Sequence, residues 1–154
     1  RNSVMFDPGG RLYVYFTYGM HWCINVVCGP QGQPSAVLLR GGAVIEGEDL
    51  ALGRRGQGIK PVDLAKGPAR MARSLGIARE HNGLDLCSKD SIVQMELCAH
   101  ELIGPVCVGP RVGVNGPGGS GEDFPWRFWS EGDPTVSVYR RGARACLMDL
   151  QKTT

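Results

Sequence analysis

At 154 residues the chain is sized for one domain that buries a core without metal or disulfide staples. Hydrophobic residues at 42% and charged residues at 21% exclude a disordered chain, and 23 glycines with 10 prolines exclude a helical bundle or coiled coil. The net charge of +2 does not by itself demand a polyanion. Its distribution says more, because the first 45 residues hold Arg1, Arg11 and Arg40 against the single carboxylate of Asp7. Such a surface can lie against phosphates at little repulsive cost.

In chain order, Leu12 to Phe16 is aromatic, β-branched or aliphatic throughout and predicts a buried strand. Tyr18-Gly19 supplies a turn, since glycine accepts positive φ. Met20 to Cys28 predicts the return strand, with one amide, Asn25, in an apolar stretch. Gly29 to Gly32 breaks the chain, and Ser35 to Arg40 predicts a third strand. Val44 to Ala51 predicts a short helix with early carboxylates at Glu46, Glu48 and Asp49. Gly53 to Lys60 reads as a basic loop. Pro68 at the first helical position, the stripe Met71, Ala72 and Leu75, and a terminating Gly76 predict a second helix. Turns and short strands follow over 77–107. Arg111 to Val114 predicts a short strand, residues 115–121 a flexible loop, and Trp126–Trp129 and Thr135–Tyr139 two further strands. The tail over 140–154 is basic and expected to fray.

The fold expectation is one α+β, β-rich domain with a curved antiparallel sheet, a protruding hairpin and short peripheral helices. No apolar run approaches the roughly 18 residues that span a bilayer. No signal peptide is visible, so no membrane partner is expected and a cytoplasmic location is, or a nuclear one in a eukaryote. The six cysteines are widely spaced and read as reduced, mostly buried thiols. A zinc site from Cys87, Cys98, His100 and Cys107 lacks a paired C-x-x-C knuckle, and no metal is assigned.

Eleven aromatic residues cluster at the two ends, six of them within the first 22 positions and none over 23–123. That distribution suggests that the ends meet in one sheet or line one site. An aromatic strand is most simply core. Tyr18, however, sits at a hairpin apex with little to pack against, and such a tip suits insertion between bases. A buried Asn25 either bridges backbone groups or floors a pocket that tests a base edge. Arg40, ending an apolar strand, suits a phosphate or a bound water as well as plain solvent.

The stretches RNSVMF, GRLYVYFTYGMHWCINVVCG and SAVLLR, followed by KGPARMARSLGI, GPRVGVNG and PWRFW…GDPTVSVYRR, resemble the alkyladenine (3-methyladenine) DNA glycosylase family in order along the whole chain. The Tyr-Val-Tyr-x-x-Tyr-Gly-Met block is the specific part, whereas GPRVGV alone would be weak. The resemblance implies a monofunctional base-excision-repair glycosylase. Such an enzyme flips a damaged purine out of double-stranded DNA and hydrolyses its N-glycosidic bond, working as a monomer without metal or redox cofactor. By the same resemblance Tyr18 fills the vacated stack from the minor groove and Tyr15 stacks on the extruded base. Asn25 excludes guanine sterically at its exocyclic amine. Arg40 sits near the target phosphate and attacking water, and the Val112 carbonyl holds that water. Met20 and His21 touch DNA, although His21 stands where the family is often aromatic. Cleavage with oxocarbenium character calls for a general base, and a cationic alkylated purine suits aromatic faces.

In the family that base is a glutamate upstream of the RN…MF segment, with a second stacking tyrosine and a pocket histidine. The chain opens at Arg1, so the sequence reads as a partial glycosylase domain over 1–154 lacking that glutamate and weak or inactive in excision by itself. Asp7, the nearest carboxylate, sits in a Pro-Gly turn. The competing expectations are a non-catalytic module stacking single-stranded nucleic acid on Tyr13, Tyr15 and Trp22, and a fragment whose aromatics are all core. A loop of Tyr18-Gly19-Met20 with Thr17 opposite His21 would pair Tyr13 with Asn25 and Tyr15 with Cys23, placing Tyr15 and Asn25 on one face.

Overall fold

A computed structural model describes residues 2–97, 104–114 and 116–140. The chain divides into two compact units, Arg1–His100 with Pro134–Ser137, and Glu101–Asp133 with Val138–Thr154. Each is mixed α+β or β in character, and each is described here by itself.

The first unit is built on an antiparallel three-stranded sheet of β1 (Leu12–Thr17), β2 (His21–Val27) and β3 (Ala36–Leu38), in that order. Thr17 lies opposite His21, Tyr15 opposite Cys23 and Tyr13 opposite Asn25, the register that the sequence predicts. Alternation then separates two faces. Leu12, Val14 and Ile24 point to the core, where they pack with Ala72, Ile77 and Leu86. Tyr13, Tyr15, Cys23 and Asn25 occupy the other face.

The helix α2 (Pro68–Leu75) covers the core face. Pro68 fits a helix start because its missing N–H would have no partner there. Gly76, at φ 69°, turns left-handed and donates its N–H to the Ala72 and Arg73 carbonyls, closing the helix. The helix α1 (Glu48–Arg55) packs beside it. It begins four residues later than the sequence suggests, because left-handed Gly47 (φ 72°) precedes Glu48 and the helix cannot run back through it. Side chains bind these helices through backbone carbonyls. Ser74 Oγ donates to Leu64 O (2.7 Å), Arg54 Nη1 to Ser74 O (2.9 Å) and Arg73 Nε to Arg54 O (2.6 Å).

The outer edge of β1 is also occupied. Leu12 N–H donates to Leu84 O (2.9 Å), Gly83 N–H to Leu12 O (2.7 Å) and Val14 N–H to Asn82 Oδ1 (2.8 Å). The segment 82–84 therefore seals the edge up to Val14.

The second unit holds a two-stranded antiparallel sheet of β4 (Val106–Gly109) and β5 (Arg127–Ser130). Arg127, buried, stacks its guanidinium 4.2 Å from the Trp129 ring centroid and 5.8 Å from that of Tyr139. The two aromatic-rich ends thus do not share a sheet. The expected strand at Arg111–Val114 is a turn, because Gly113 takes φ 73°. Thr135–Tyr139 is not a strand either. Thr135 is buried, and its carbonyl lies 3.3 Å from where a Cβ on Gly41 would be, so tight packing and not a ladder fixes this stretch. Of the four described cysteines, all free, Cys23 is buried, Cys28 and Cys107 are half-buried and Cys87 is exposed, fewer buried thiols than expected. Cys98, His100, Asn115 and the 141–154 part of the tail lie outside the described residues. Among the described residues no helix is long and apolar enough to cross a membrane.

Candidate nucleic-acid interface

The hairpin between β1 and β2 closes through Tyr18, Gly19 and Met20, between the paired Thr17 and His21. Met20 N–H donates to Thr17 O at 3.1 Å, and both central residues have positive φ, 52° at Tyr18 and 66° at Gly19. This is the primed geometry whose twist suits a β-ribbon. Glycine adopts it freely. A tyrosine does so at a cost of about 1–2 kcal/mol, and Tyr18 is the single non-glycine with positive φ among the described residues. Its side chain is 82% exposed. The strain is therefore not repaid by packing within the fold. Met20 and His21, next along the turn, are exposed as well.

Below the tip, the face opposite the core collects the predicted residues of the first unit. The Tyr13 and Tyr15 rings stack with centroids 5.5 Å apart and 29° between planes. Asn25 is 6% exposed, and its Nδ2 donates to the Tyr13 carbonyl at 3.0 Å. That bond fixes which way the amide faces and ties β2 to β1 beneath the aromatic pair. Tyr15 sits across from buried Cys23, and burial, with the neighbouring thiol second, pushes the phenol up to about 12. Burial likewise raises the Cys23 thiol, partly offset by a hydrogen bond with Tyr15 and by the nearby Arg40 charge. Arg40 is thus brought to the Tyr15–Cys23 face, half-buried two residues beyond β3. At neutral pH this face presents the neutral Tyr15 phenol and Cys23 thiol beside the Asn25 amide and the Arg40 guanidinium.

The last of the predicted residues is Val112. It belongs to the second unit, half-buried in the turn before Gly113. Beside it, Arg111 donates through Nη2 to Gly118 O and lies 5.3 Å from the Trp126 ring centroid. Asp7 follows the short turn Ser3–Phe6, where its N–H donates to Val4 O.

An open groove runs along the outer flank of the hairpin. It is lined by the hairpin, from Val14 to Phe16 with Tyr18, Gly19 and Trp22, and by Arg79 and Asn82. Asn25 does not line it. The sequence reading missed Arg79, Asn82 and the Phe16–Trp22 pair. The available signal was alternation, which sends Phe16 and Trp22 to the face away from Tyr15.

An exposed, strained aromatic apex thus stands above a face of stacked tyrosines and a clamped amide. The comparisons state the family. A model of the methylpurine-DNA glycosylase family matches residues 1–134. Proteins named "Putative 3-methyladenine DNA glycosylase" match from Mycolicibacterium paratuberculosis, at 49% identity over 94% of this chain and 67% of that protein. Another from Streptomyces avermitilis matches at 51% over 91% of this chain and 65% of that protein. A third, from Mycobacterium tuberculosis, matches at 47% over 94% of this chain and 68% of that protein. The chain belongs to the methylpurine-DNA glycosylase family, a family of base-excision-repair hydrolases. It spans about two thirds of the length of the curated relatives it matches.

Proposed function

We propose that this chain is the lesion-recognising part of a glycosylase that extrudes a damaged purine from double-stranded DNA and hydrolyses its N-glycosidic bond. The observation that carries the reading is Tyr18, held in a costly left-handed conformation and 82% exposed at the apex of a β-ribbon. Backbone strain at an exposed aromatic residue has no use inside the fold, and a wedge entering the base stack gives it one. In this reading Met20 and His21 touch DNA beside the wedge. Tyr15 stacks on the extruded base, and Asn25 disfavours guanine at its exocyclic amine. A neutral Tyr15 presents an electron-rich face without a compensating charge, which suits a cationic alkylated purine. Arg40 serves the target phosphate and the attacking water, and the Val112 carbonyl orients that water.

The hydrolytic step needs a base to take a proton from water as the C–N bond breaks. Among the described residues no carboxylate figures among the groups that act on Tyr15 or Cys23, and none lines the groove. Binding of lesion DNA is therefore the activity that this face supports by itself, with the proton-accepting carboxylate assigned outside it. The single-strand stacking module is less well supported, since the register divides its three rings between opposite faces and Tyr13 is only 8% exposed.

The experiment is release of hypoxanthine or 3-methyladenine from a labelled duplex, with binding to a duplex carrying a tetrahydrofuran abasic analogue measured in parallel. Preferential binding of that duplex over intact duplex and over single strand, with little base release, is the expected result. Robust release by the chain alone would overturn the assignment of catalysis to a carboxylate outside this face. Equal affinity for intact and abasic duplexes would overturn the wedge.

A further inference from the structure

We propose that the groove on the outer flank of the hairpin is a second nucleotide site, which takes the unpaired partner of the lesion from the undamaged strand. The proposal rests on the wedge reading above. A ribbon entering the minor groove has one strand along each flank. If the lesion nucleotide moves toward Asn25, which does not line the groove, the undamaged strand lies along the flank that carries Phe16, Arg79 and Asn82, and Tyr15 borders both. There the nucleotide opposite the lesion has lost its pairing partner.

That flank is equipped for such a guest. Phe16, 40% exposed, tilts at 50° against Trp22 with ring centroids 4.7 Å apart, which leaves an aromatic ledge open to the groove. Across the groove stands exposed Arg79, whose guanidinium makes no ion pair among the described residues and is available for a phosphate. Asn82 accepts the Val14 N–H through Oδ1, so its amide nitrogen remains a donor for a base edge or sugar oxygen. Aromatic ledge, cation and amide donor match the base, phosphate and polar edge of one nucleotide. Tyr18 itself lines the groove, so the second site adjoins the wedge. An unpaired base held here cannot fall back into the stack against Tyr18, and the lesion cannot pair again.

A cycle between protein and DNA tests this. Affinities are measured for a tetrahydrofuran analogue placed opposite thymine and opposite a second tetrahydrofuran, which removes only the partner base. The wild-type chain is expected to bind the first duplex about five-fold or more tightly, the least that one stacked base contributes. Phe16→Leu, which keeps an apolar side chain without a ring, is expected to abolish that difference. Arg79→Gln, at an exposed position outside the core, is expected to weaken binding to both duplexes and to lower the salt dependence by about one phosphate contact. Equal wild-type affinity for the two duplexes, or a difference that survives Phe16→Leu, overturns the proposal. A wild-type chain that fails to prefer either abasic duplex over intact DNA overturns the wedge reading together with it, and that outcome is distinct from the first.

Discussion

Replacing Tyr18 by glycine separates what the tip costs the fold from what it contributes outside it. Three terms act on stability. Glycine removes the left-handed penalty of about 1–2 kcal/mol at φ 52°. Less than a fifth of the side chain is covered, so lost packing is limited to about 1 kcal/mol. The added freedom of glycine in the unfolded chain costs about 0.5–1 kcal/mol. These nearly cancel, and Tyr18→Gly is expected to unfold in urea within about 1 kcal/mol of wild type. Affinity for a duplex carrying an abasic analogue, read by fluorescence anisotropy, is expected to fall roughly 5- to 150-fold, the equivalent of about 1–3 kcal/mol of stacking. A variant as stable as wild type but unable to hold the extruded state would show that the strain serves DNA. The reasoning is refuted if stability drops by several kcal/mol, since Tyr18 would then be packing, or if affinity for the abasic duplex is unchanged.

Two further outcomes check the scaffold and the site. Gly76→Ala forces φ 69° on an L-residue and drives its Cβ to 2.7 Å from the Arg54 guanidinium, so it is expected to cost about 1–2 kcal/mol in urea unfolding. A neutral result would mean that the end of α2 can relax without Arg54. Tyr15, raised to about 12 in the fold from an ordinary 10, favours the folded state in its protonated form. Its contribution is complete below pH 10 and disappears as pH climbs from 10 through 12. Ultraviolet titration should show one late-ionising phenol that is absent from Tyr15→Phe, and that variant should lose less stability across the same window. A late phenol persisting in Tyr15→Phe would place the buried hydroxyl elsewhere.

The hairpin could be read in the sequence because its turn and its alternation agree. Gly19 permits the positive φ of a tight turn, and the apolar run on each side has one phase that hides Leu12, Val14 and Ile24. α2 was legible for the same reason, with proline at its start and glycine at its end. Where the reading failed, something distant or strictly conformational decided. Val112 sits among strand formers, but Gly113 bends the chain. Thr135–Tyr139 has strand composition, yet a strand exists only with a partner, and Thr135 is instead packed near Gly41. Cys23 and Arg40 are seventeen positions apart in sequence, so their proximity follows only once β2 and β3 are aligned. Arg79 and Asn82 reach the hairpin through tertiary packing that no local pattern announces.

The clamp from Asn25 to the Tyr13 carbonyl has a consequence for how the lesion preference of this protein can be altered. The amide that would judge a base is fastened to the strand carrying the stacking rings, and that strand runs directly into the apex. Trimming Asn25 removes that bond and loosens the strand that carries the apex. On the function proposed above, discrimination and leverage share one mechanical part, and broader substrate tolerance comes at the expense of grip on the helix.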